Sequence, residues 1–290
     1  MRIAIASGKG GTGKTSISVL LAQYISFESG QEVDFLDCDC EAPNGHIFFQ
    51  AHLTPLKTVN IFTPKIDTSK CTFCGKCSEI CRFNAITVLG NKVAMTFPEL
   101  CHGCYGCFRV CESGAIKEDP RRIGKVYAGR QEDGAARIHL VQGVLRIGEA
   151  MSPPLIKAVL EEGEASSNLV AVTDCPPGTS CPVVTSIKGA DLVVIVAESS
   201  PFGLHDAAIL AKVVRRLGLP FAIVANKVLD ENTLIHEWCK EEGYRYLGGI
   251  PFSPDFSMEY ARGGDIFKAA KRMPEIEEVL CRITEMVQKR

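Results

Sequence analysis

The sequence predicts an α/β protein: a doubly wound, mostly parallel sheet into which a small α+β unit is inserted. Three observations carry that expectation. Apolar runs of strand length alternate with stretches of helical period over most of the chain, a glycine-rich loop joins the first strand to the first helix, and a cysteine-dense segment breaks the alternation between residues 63 and 117.

Taken in order, residues 2–6 read as a buried strand, Gly8-Lys9-Gly10-Gly11-Thr12-Gly13-Lys14-Thr15-Ser16 as a loop, and residues 17–25 as an apolar helical run. Strand, glycine loop and helix in that order make a phosphate-binding P-loop. Its glycines let backbone N–H groups converge on phosphate oxygens, Lys14 is placed to reach the β- and γ-phosphates, and the Thr15 hydroxyl is placed to ligate Mg²⁺. The helix adds the positive end of its dipole to the same place. Further short buried strands are expected at 33–36, 169–173, 192–197, 221–225 and 246–250, with helices at 204–217 and 232–242 between them. Residues 124–146 interleave apolar positions with glycines and polar residues, which reads as a hairpin returning the chain to the sheet. Pro153 and Pro154 follow Ser152 and suit the first turn of a helix. The last helix, expected over 275–290, carries Ile276, Val279, Leu280, Ile283 and Val287 on one face. Its polar face mixes acids and bases and lacks aromatics, so it should pack on the sheet and not on a membrane.

The inserted segment places eight of the fourteen cysteines in two copies of one spacing, C-x2-C-x2-C-x3-C. The first copy is Cys71, Cys74, Cys77 and Cys81; the second is Cys101, Cys104, Cys107 and Cys111. This is the ligand pattern of a pair of [4Fe–4S] clusters, in which the fourth cysteine of each run ligates the other cluster. One cluster would then take Cys71, Cys74, Cys77 and Cys111, the other Cys101, Cys104, Cys107 and Cys81. Zinc ribbons use separated C-x2-C pairs instead, and disulfides belong to oxidising compartments. The proline that commonly follows the fourth cysteine is Arg82 in one run and Glu112 in the other, so the exit turns are expected to differ. Each run is followed by a related stretch, Arg82-Phe83-Asn84-Ala85-Ile86 and Glu112-Ser113-Gly114-Ala115-Ile116. Each half therefore reads as ligand loop, short helix and strand. Residues 63–117 hold seven lysines and arginines against four acids, a surplus that mostly cancels the charge of about −4 carried by two oxidised cubes with their thiolates.

The 290 residues, 46% of them hydrophobic, suit one large domain or two modest ones. Formal charge is −2, and lysines and arginines never occur more than two in a row, so no stripe for nucleic acid or an anionic membrane is expected. A core strand at the very start leaves no room for a signal peptide, and no apolar run approaches a membrane span; a reducing, cytoplasmic location is the expectation.

The loop carries an extra lysine, Lys9, after its first glycine; Asp37-Cys38-Asp39 ends the second strand and Asp174-Cys175-Pro176-Pro177-Gly178 ends another. With these features the chain resembles the deviant Walker ATPases of the MinD, Mrp and nitrogenase iron protein class, and most closely the MinD-superfamily ATPases that contain an inserted ferredoxin domain. The resemblance extends over essentially the whole chain, including the run from Ser199 to Asp206 and the Gly249-Ile250-Pro251 loop. It implies a P-loop NTPase fold with a bacterial-ferredoxin-like insertion, divided as residues 1–62, 63–117 and 118–290. By position it implies that Lys9 is similar to the signature lysine that reaches a partner's phosphates across a nucleotide-sandwich dimer. Asp39 looks like the switch aspartate that organises the attacking water, Asp174 like the Walker B carboxylate that holds Mg²⁺ through water, and Asn226 and Pro251 like adenine contacts. Asp37 either caps its strand or joins the site. Cys181 stands at the offset of a cysteine that ligates a shared cluster in the nitrogenase iron protein, but two subunits supply only two such thiolates, so it reads as a small switch-loop residue. His205 reads as a capping or surface histidine, and Cys239 and Cys281 as buried small apolar residues.

The implied function is an ATP-hydrolysing dimer, formed with itself or with a similar ATPase, using ATP, Mg²⁺ and two [4Fe–4S] clusters. Its cycle would drive electron transfer, or deliver a metal–sulfur cofactor to a partner protein, with neither nucleic acid nor membrane involved. Two other functions stay open. One is a positioning or partitioning ATPase with structural or redox-sensing clusters. The other is an ATP-dependent ligase of the cobyrinic acid diamide synthase type, for which no glutaminase-like module is seen after residue 290.

Overall fold

The computed structural model describes residues 1–90, 92–131, 136–229 and 233–288. Its strands are β1 Arg2–Ala6, β2 Glu32–Asp37, β3 Thr54–Ile61, β4 Pro64–Ile66, β5 Ile86–Leu89, β6 Val93–Thr96, β7 Ile116–Glu118, β8 Arg121–Arg130, β9 Arg137–Leu145, β10 Ala171–Asp174, β11 Leu192–Glu198, β12 Phe221–Val228 and β13 Tyr246–Pro251. Nine of them form one sheet in the order β13-β12-β11-β1-β10-β2-β9-β8-β3. All neighbours from β13 to β9 pair in parallel, and β8 runs antiparallel to both β9 and β3. The expected mostly parallel sheet is therefore present. Strands such as β11, with six consecutive buried residues from Leu192 to Ala197, are apolar throughout because helices cover both faces.

One face is covered by helices Lys14–Ser29, Ile266–Ala270 and Pro274–Gln288, which contribute Leu20, Leu21, Ile266, Leu280 and Ile283 to a core shared with Ile3, Phe35 and Val194. The other face buries Val183, Leu210, Val214 and Ile235 from helices Cys181–Ile187, Pro201–Arg216 and Leu234–Glu242. Helix Pro153–Glu164 fills a third cluster under β8 and β9 through Leu155, Ile156 and Val159. The apolar residues read on the last helix, Ile276, Val279, Leu280, Ile283 and Val287, are all buried. That helix packs against β13. The expected helix start at residue 232 and the expected end at residue 290 lie outside the described residues.

Three sequence expectations need correction, and one strand was missed. The strand expected at 169–173 begins at Ala171 and ends at Asp174, because Leu169 is 67% exposed and precedes the ladder. Helix 204–217 starts earlier, at Pro201, where Ser200 caps it by accepting from the Gly203 N–H at 3.1 Å. Cys281 is not fully buried; its thiol donates toward Glu285 at 3.8 Å. Strand β3 was not anticipated. Pro55 and alternating exposure mark it as an edge strand, where the missing N–H is tolerated.

The cysteine segment leaves the sheet between β3 and β8, whose antiparallel ladder begins at Ile61 opposite Arg121. Inside it, β4 pairs with β7 and β5 with β6, each antiparallel. The interval that carries Cys71 to Cys101 also carries β4 onto β6, β5 onto β7 and helix Lys76–Ile80 onto helix Gly106–Arg109. The sequence repeat is thus a structural repeat in which each half lends a strand to the other's ladder.

Candidate functional site

The glycine loop lies at the C-terminal end of β1, which pairs in parallel with β10 on one side and β11 on the other. Gly13 has φ +92 immediately before the helix, and a β-carbon there would sit 2.1 Å from Asn226 Nδ2. Asn226 donates to the Thr12 carbonyl at 2.7 Å and Lys227 Nζ to the Gly11 carbonyl at 2.6 Å, so the end of β12 pins the loop. At its other end a β-carbon on Gly8 would meet the Asp206 carbonyl oxygen at 2.3 Å, which sets the loop directly against the backbone of helix Pro201–Arg216.

Asp174, fully buried at the end of β10, gathers polar side chains of the glycine loop and the helix after it. It accepts from Lys14 Nζ at 2.8 Å, from the Thr15 hydroxyl at 2.7 Å and from the Ser18 hydroxyl at 2.9 Å. Asp39 Oδ2 stands 3.8 Å from Lys14 Nζ. Burial disfavours the lysine's charge, but the carboxylates of Asp174 and Asp39 outweigh it and hold the Lys14 pKa above its ordinary value. Asp39 is raised by burial, with Lys14 opposing. Asp37 clamps the intervening loop: its carboxylate accepts from the N–H groups of Asp39 at 3.2 Å, Asn44 at 3.1 Å and Gly45 at 3.0 Å. Burial, reinforced by neighbouring Asp174, pushes Asp37 up to about 7.

Lys9 is held by a different carboxylate, Glu198 Oε1 at 3.2 Å, and Glu198 also accepts from the Ser200 hydroxyl at 3.1 Å. Beside the loop opens a cavity of about 260 Å³ whose rim includes Gly11, Gly13, Ser16 and Asn226 and whose walls include Pro251, Phe252, Phe256 and Tyr260. Apolar walls with a few polar groups at the mouth suit a planar ring carried on a phosphate tail. The sequence-predicted residues Lys14, Thr15, Asp39 and Asp174 thus meet at one point, Asn226 and Pro251 line the adjoining cavity, and Lys9 stands apart from Lys14.

The eight cysteines of the insert fall into two groups. Cys71, Cys74, Cys77 and Cys111 line one small cavity with Thr72, Lys76 and Ser113. Cys81, Cys101, Cys104 and Cys107 line a second with Phe62, Ile80, Phe83, His102 and Tyr105. Each cavity takes three cysteines of one run and the last of the other. Left-handed turns at Phe73, Gly75, Gly103 and Tyr105 shape the two loops alike. They aim backbone N–H groups at sulfur, Phe73 at Cys71 Sγ and Gly103 at Cys101 Sγ, both at 3.4 Å, while Ala85 reaches Cys81 Sγ at 3.2 Å. The cavities differ in character. Lys76 pairs with Glu112 at 2.5 Å beside the first, and the Ser113 hydroxyl lies 3.6 Å from Cys111 Sγ. Beside the second, Phe83 stacks on His102 with ring centroids 3.5 Å apart. Burial pushes the Cys107 thiol up to about 11 and raises Cys77 and Cys101; around Cys111 the Ser113 hydroxyl and nearby N–H groups outweigh burial and lower it. All fourteen cysteines are free thiols. Among the described residues no three His, Cys, Asp or Glu side chains converge as they would on a single metal ion.

The family model described as the CobQ/CobB/MinD/ParA nucleotide binding domain matches residues 3–266. The chain belongs to this nucleotide-binding family. Two relatives from Methanocaldococcus jannaschii span most of it: uncharacterized protein MJ0578 is 33% identical over 227 residues, 78% of each chain, and uncharacterized protein MJ0579 is 29% identical over 280 residues, 96% of each. Among solved structures, the septum site-determining protein MinD complexed with Mg-ADP from Pyrococcus horikoshii superposes with a TM-score of 0.59 at 17% identity, covering 98% of this chain and 95% of that one. The fold is that of a MinD/ParA-type P-loop protein. Within the family frame, Ser18, Glu198 and Lys227 are site residues that sequence reading passed over. Ser18 was recoverable, since it lies one helical turn beyond Lys14 and so faces the same carboxylate. Glu198 carried no local signal because its partner, Lys9, is remote in sequence. Cys181 is exposed at the start of helix Cys181–Ile187, and His205 is exposed on helix Pro201–Arg216. No helix among the described residues is long and apolar enough to cross a membrane.

Proposed function

We propose that this chain is an ATP-hydrolysing, nucleotide-switched dimer whose cycle is coupled to two [4Fe–4S] clusters, either to pass electrons through them or to deliver a metal–sulfur cofactor to a partner. The observation that carries the cluster half is the crossed division of eight cysteines between two cavities. Four soft thiol donors per cavity, with backbone N–H groups aimed at the sulfurs, match the ligand chemistry of a cube. A cube holds its thiolates at separate corners, consistent with the lack of convergence on a single point. Residues 63–117 are assigned to this ferredoxin-like unit, and 1–62 with 118–290 to the ATPase. Bound there, the clusters supply one-electron chemistry.

The ATPase half rests on the loop and its carboxylates. The chain's own contribution is positioning and charge neutralisation. Loop N–H groups and the Lys14 ammonium would bind phosphate oxygens, and Thr15 and Asp174 would hold Mg²⁺, which would neutralise phosphate charge. Asp39 orients water, and Lys9 serves the partner's phosphates. The MinD neighbour's complex with Mg-ADP supports this choice of ligands.

Metal analysis of anaerobically reconstituted protein tests the proposal: about eight iron and eight sulfide per chain are expected, with cubane EPR signals on reduction. Cys71→Ser and Cys101→Ser should remove different signals. Stoichiometric zinc without sulfide would overturn the cluster half. Clusters whose spectra ignore nucleotide would favour a positioning ATPase with structural clusters.

A further inference from the structure

At the base of the insert, an ion-pair network built around the buried Arg121–Glu149 pair ties one cysteine loop to the loop that carries Asp39. Arg121 opens β8 with its side chain only 7% exposed, and its Nη2 donates to the Cys101 carbonyl at 3.1 Å. Its Nη1 is bonded to Glu149, 1% exposed, and lies 3.3 Å from Glu99, two residues ahead of Cys101. Arg146, just past the end of β9, joins the same two acids, 3.0 Å from Glu99 and 3.6 Å from Glu149. The residue before it, Leu145, donates its N–H to the Cys40 carbonyl at 2.9 Å. Cys40 follows Asp39, which faces Lys14. Direct contacts therefore run without a gap from Lys14 through Asp39, Cys40, Leu145, Arg146, Glu99 and Arg121 to Cys101.

Two features argue against simple mechanical support. A buried ion pair is a weak stabiliser, since desolvation offsets most of its attraction. This network is also short of acceptors: among the described residues the Nε atoms of Arg121 and Arg146 are buried without a hydrogen-bond partner. Orphaned buried donors are costly, so a rearrangement that brings either Nε an acceptor offsets part of its own cost.

We propose that Arg121 is a positioning residue that transmits the nucleotide state of the Asp39 loop to Cys101 and so to the second cysteine cavity. This rests on the proposed reading of Asp39 as a nucleotide-sensing residue and of the cysteines as cluster ligands. A shift of Asp39 and Cys40 moves Leu145 and Arg146, redistributes Arg146 between Glu99 and Glu149, and changes what Arg121 offers the Cys101 carbonyl. The Cys101 peptide adjoins the turn whose Gly103 N–H points at Cys101 Sγ, so its reorientation alters how that sulfur is solvated.

The test is amide hydrogen exchange on the full, anaerobically reconstituted chain with Mg²⁺ and either a non-hydrolysable ATP analogue or ADP, alongside EPR redox titration of the clusters. Exchange over residues 99–104 is expected to differ between the two nucleotides by about two- to thirty-fold, the range that network couplings support. One cluster's potential should shift in parallel. Arg121→Met should abolish both differences while nucleotide affinity is retained. Because that change deprives buried Glu149 of its nearer cation and can impair folding, Glu99→Gln at an exposed position serves as the second variant, with the same expected loss. Identical exchange in the two nucleotide states of the wild type overturns the proposal, as does a difference that survives in both variants. An exchange difference in protein that takes up no iron or sulfide would leave the coupling standing and defeat the cluster reading alone.

Discussion

Asp174 shows how one buried carboxylate organises a phosphate site. Taking it out of water is costly, and Lys14, Thr15 and Ser18 offset that cost by donating to its two oxygens. Lys14→Ala should abolish ATP binding, and it should also destabilise the nucleotide-free chain by about 3–5 kcal/mol, because Asp174 stays buried without its cation; denaturant melts beside binding titrations check both. Lys9→Ala is the contrast. Its partner Glu198 is partly exposed, so the stability cost should stay below about 1 kcal/mol, while monomer binding survives and ATP-dependent dimerisation is lost. Wild-type turnover in Lys9→Ala would count against the trans role. Asp37 adds a pH signature. With its folded pKa raised to about 7 and an unfolded value of about 3.9, the folded chain binds more protons between those limits. Its contribution to stability is therefore fully present below pH 4 and declines as pH rises to 7, by at most about 1.4 kcal/mol per pH unit. Asp37→Asn should flatten that slope in denaturation of the nucleotide-free protein, and an unchanged slope would place the titration elsewhere.

Among elements, a tight approach is that between the loop and helix Pro201–Arg216, where Gly8 meets backbone and not a flexible side chain. Gly8→Ala must push that helix away, at about 1–3 kcal/mol, and weaken nucleotide binding with it; full binding with wild-type stability would show that the packing is softer than it looks. The elements legible in the sequence were those with a periodic or spaced signal. β11 was readable because burial on both faces makes a strand apolar from end to end, and the cysteine loops because one spacing recurs at a fixed interval. β3 escaped because its burial comes from one side of an edge strand and Pro55 argues against it locally. In the site, Lys14, Thr15 and Asp174 were marked by the loop and by a strand-end acid. Glu198, Arg121 and Glu149 were not, since a charge that finds its partner only in the fold looks in sequence like any surface charge.

At the scale of the molecule, the glycine loop and the cysteine module leave the same edge of the sheet several strands apart. From β1, which carries the loop, to β8, which bears the insert, the order passes through β10, β2 and β9, a span of about 19 Å at ordinary strand spacing. Under the proposed function, a signal between nucleotide and cluster would have to cross that width through intervening protein segments. The segment after β10 adjoins the glycine loop: the Gly178 N–H donates to the Ser7 carbonyl at 3.0 Å, tying it to the end of β1, and it leads into helix Cys181–Ile187 with Cys181 exposed. A γ-phosphate that draws this segment inward should carry Cys181 with it. Anaerobic thiol labelling, read peptide by peptide so that Cys74 and Cys104 are scored separately, should then give different rates at Cys181 with an ATP analogue and with ADP. The difference should shrink in Lys9→Ala, where the dimer no longer forms. Equal rates at Cys181 in the wild type, while dimerisation still responds to ATP, would show that the switch bypasses this helix and would leave the Asp39 loop as the route by which nucleotide state leaves the site.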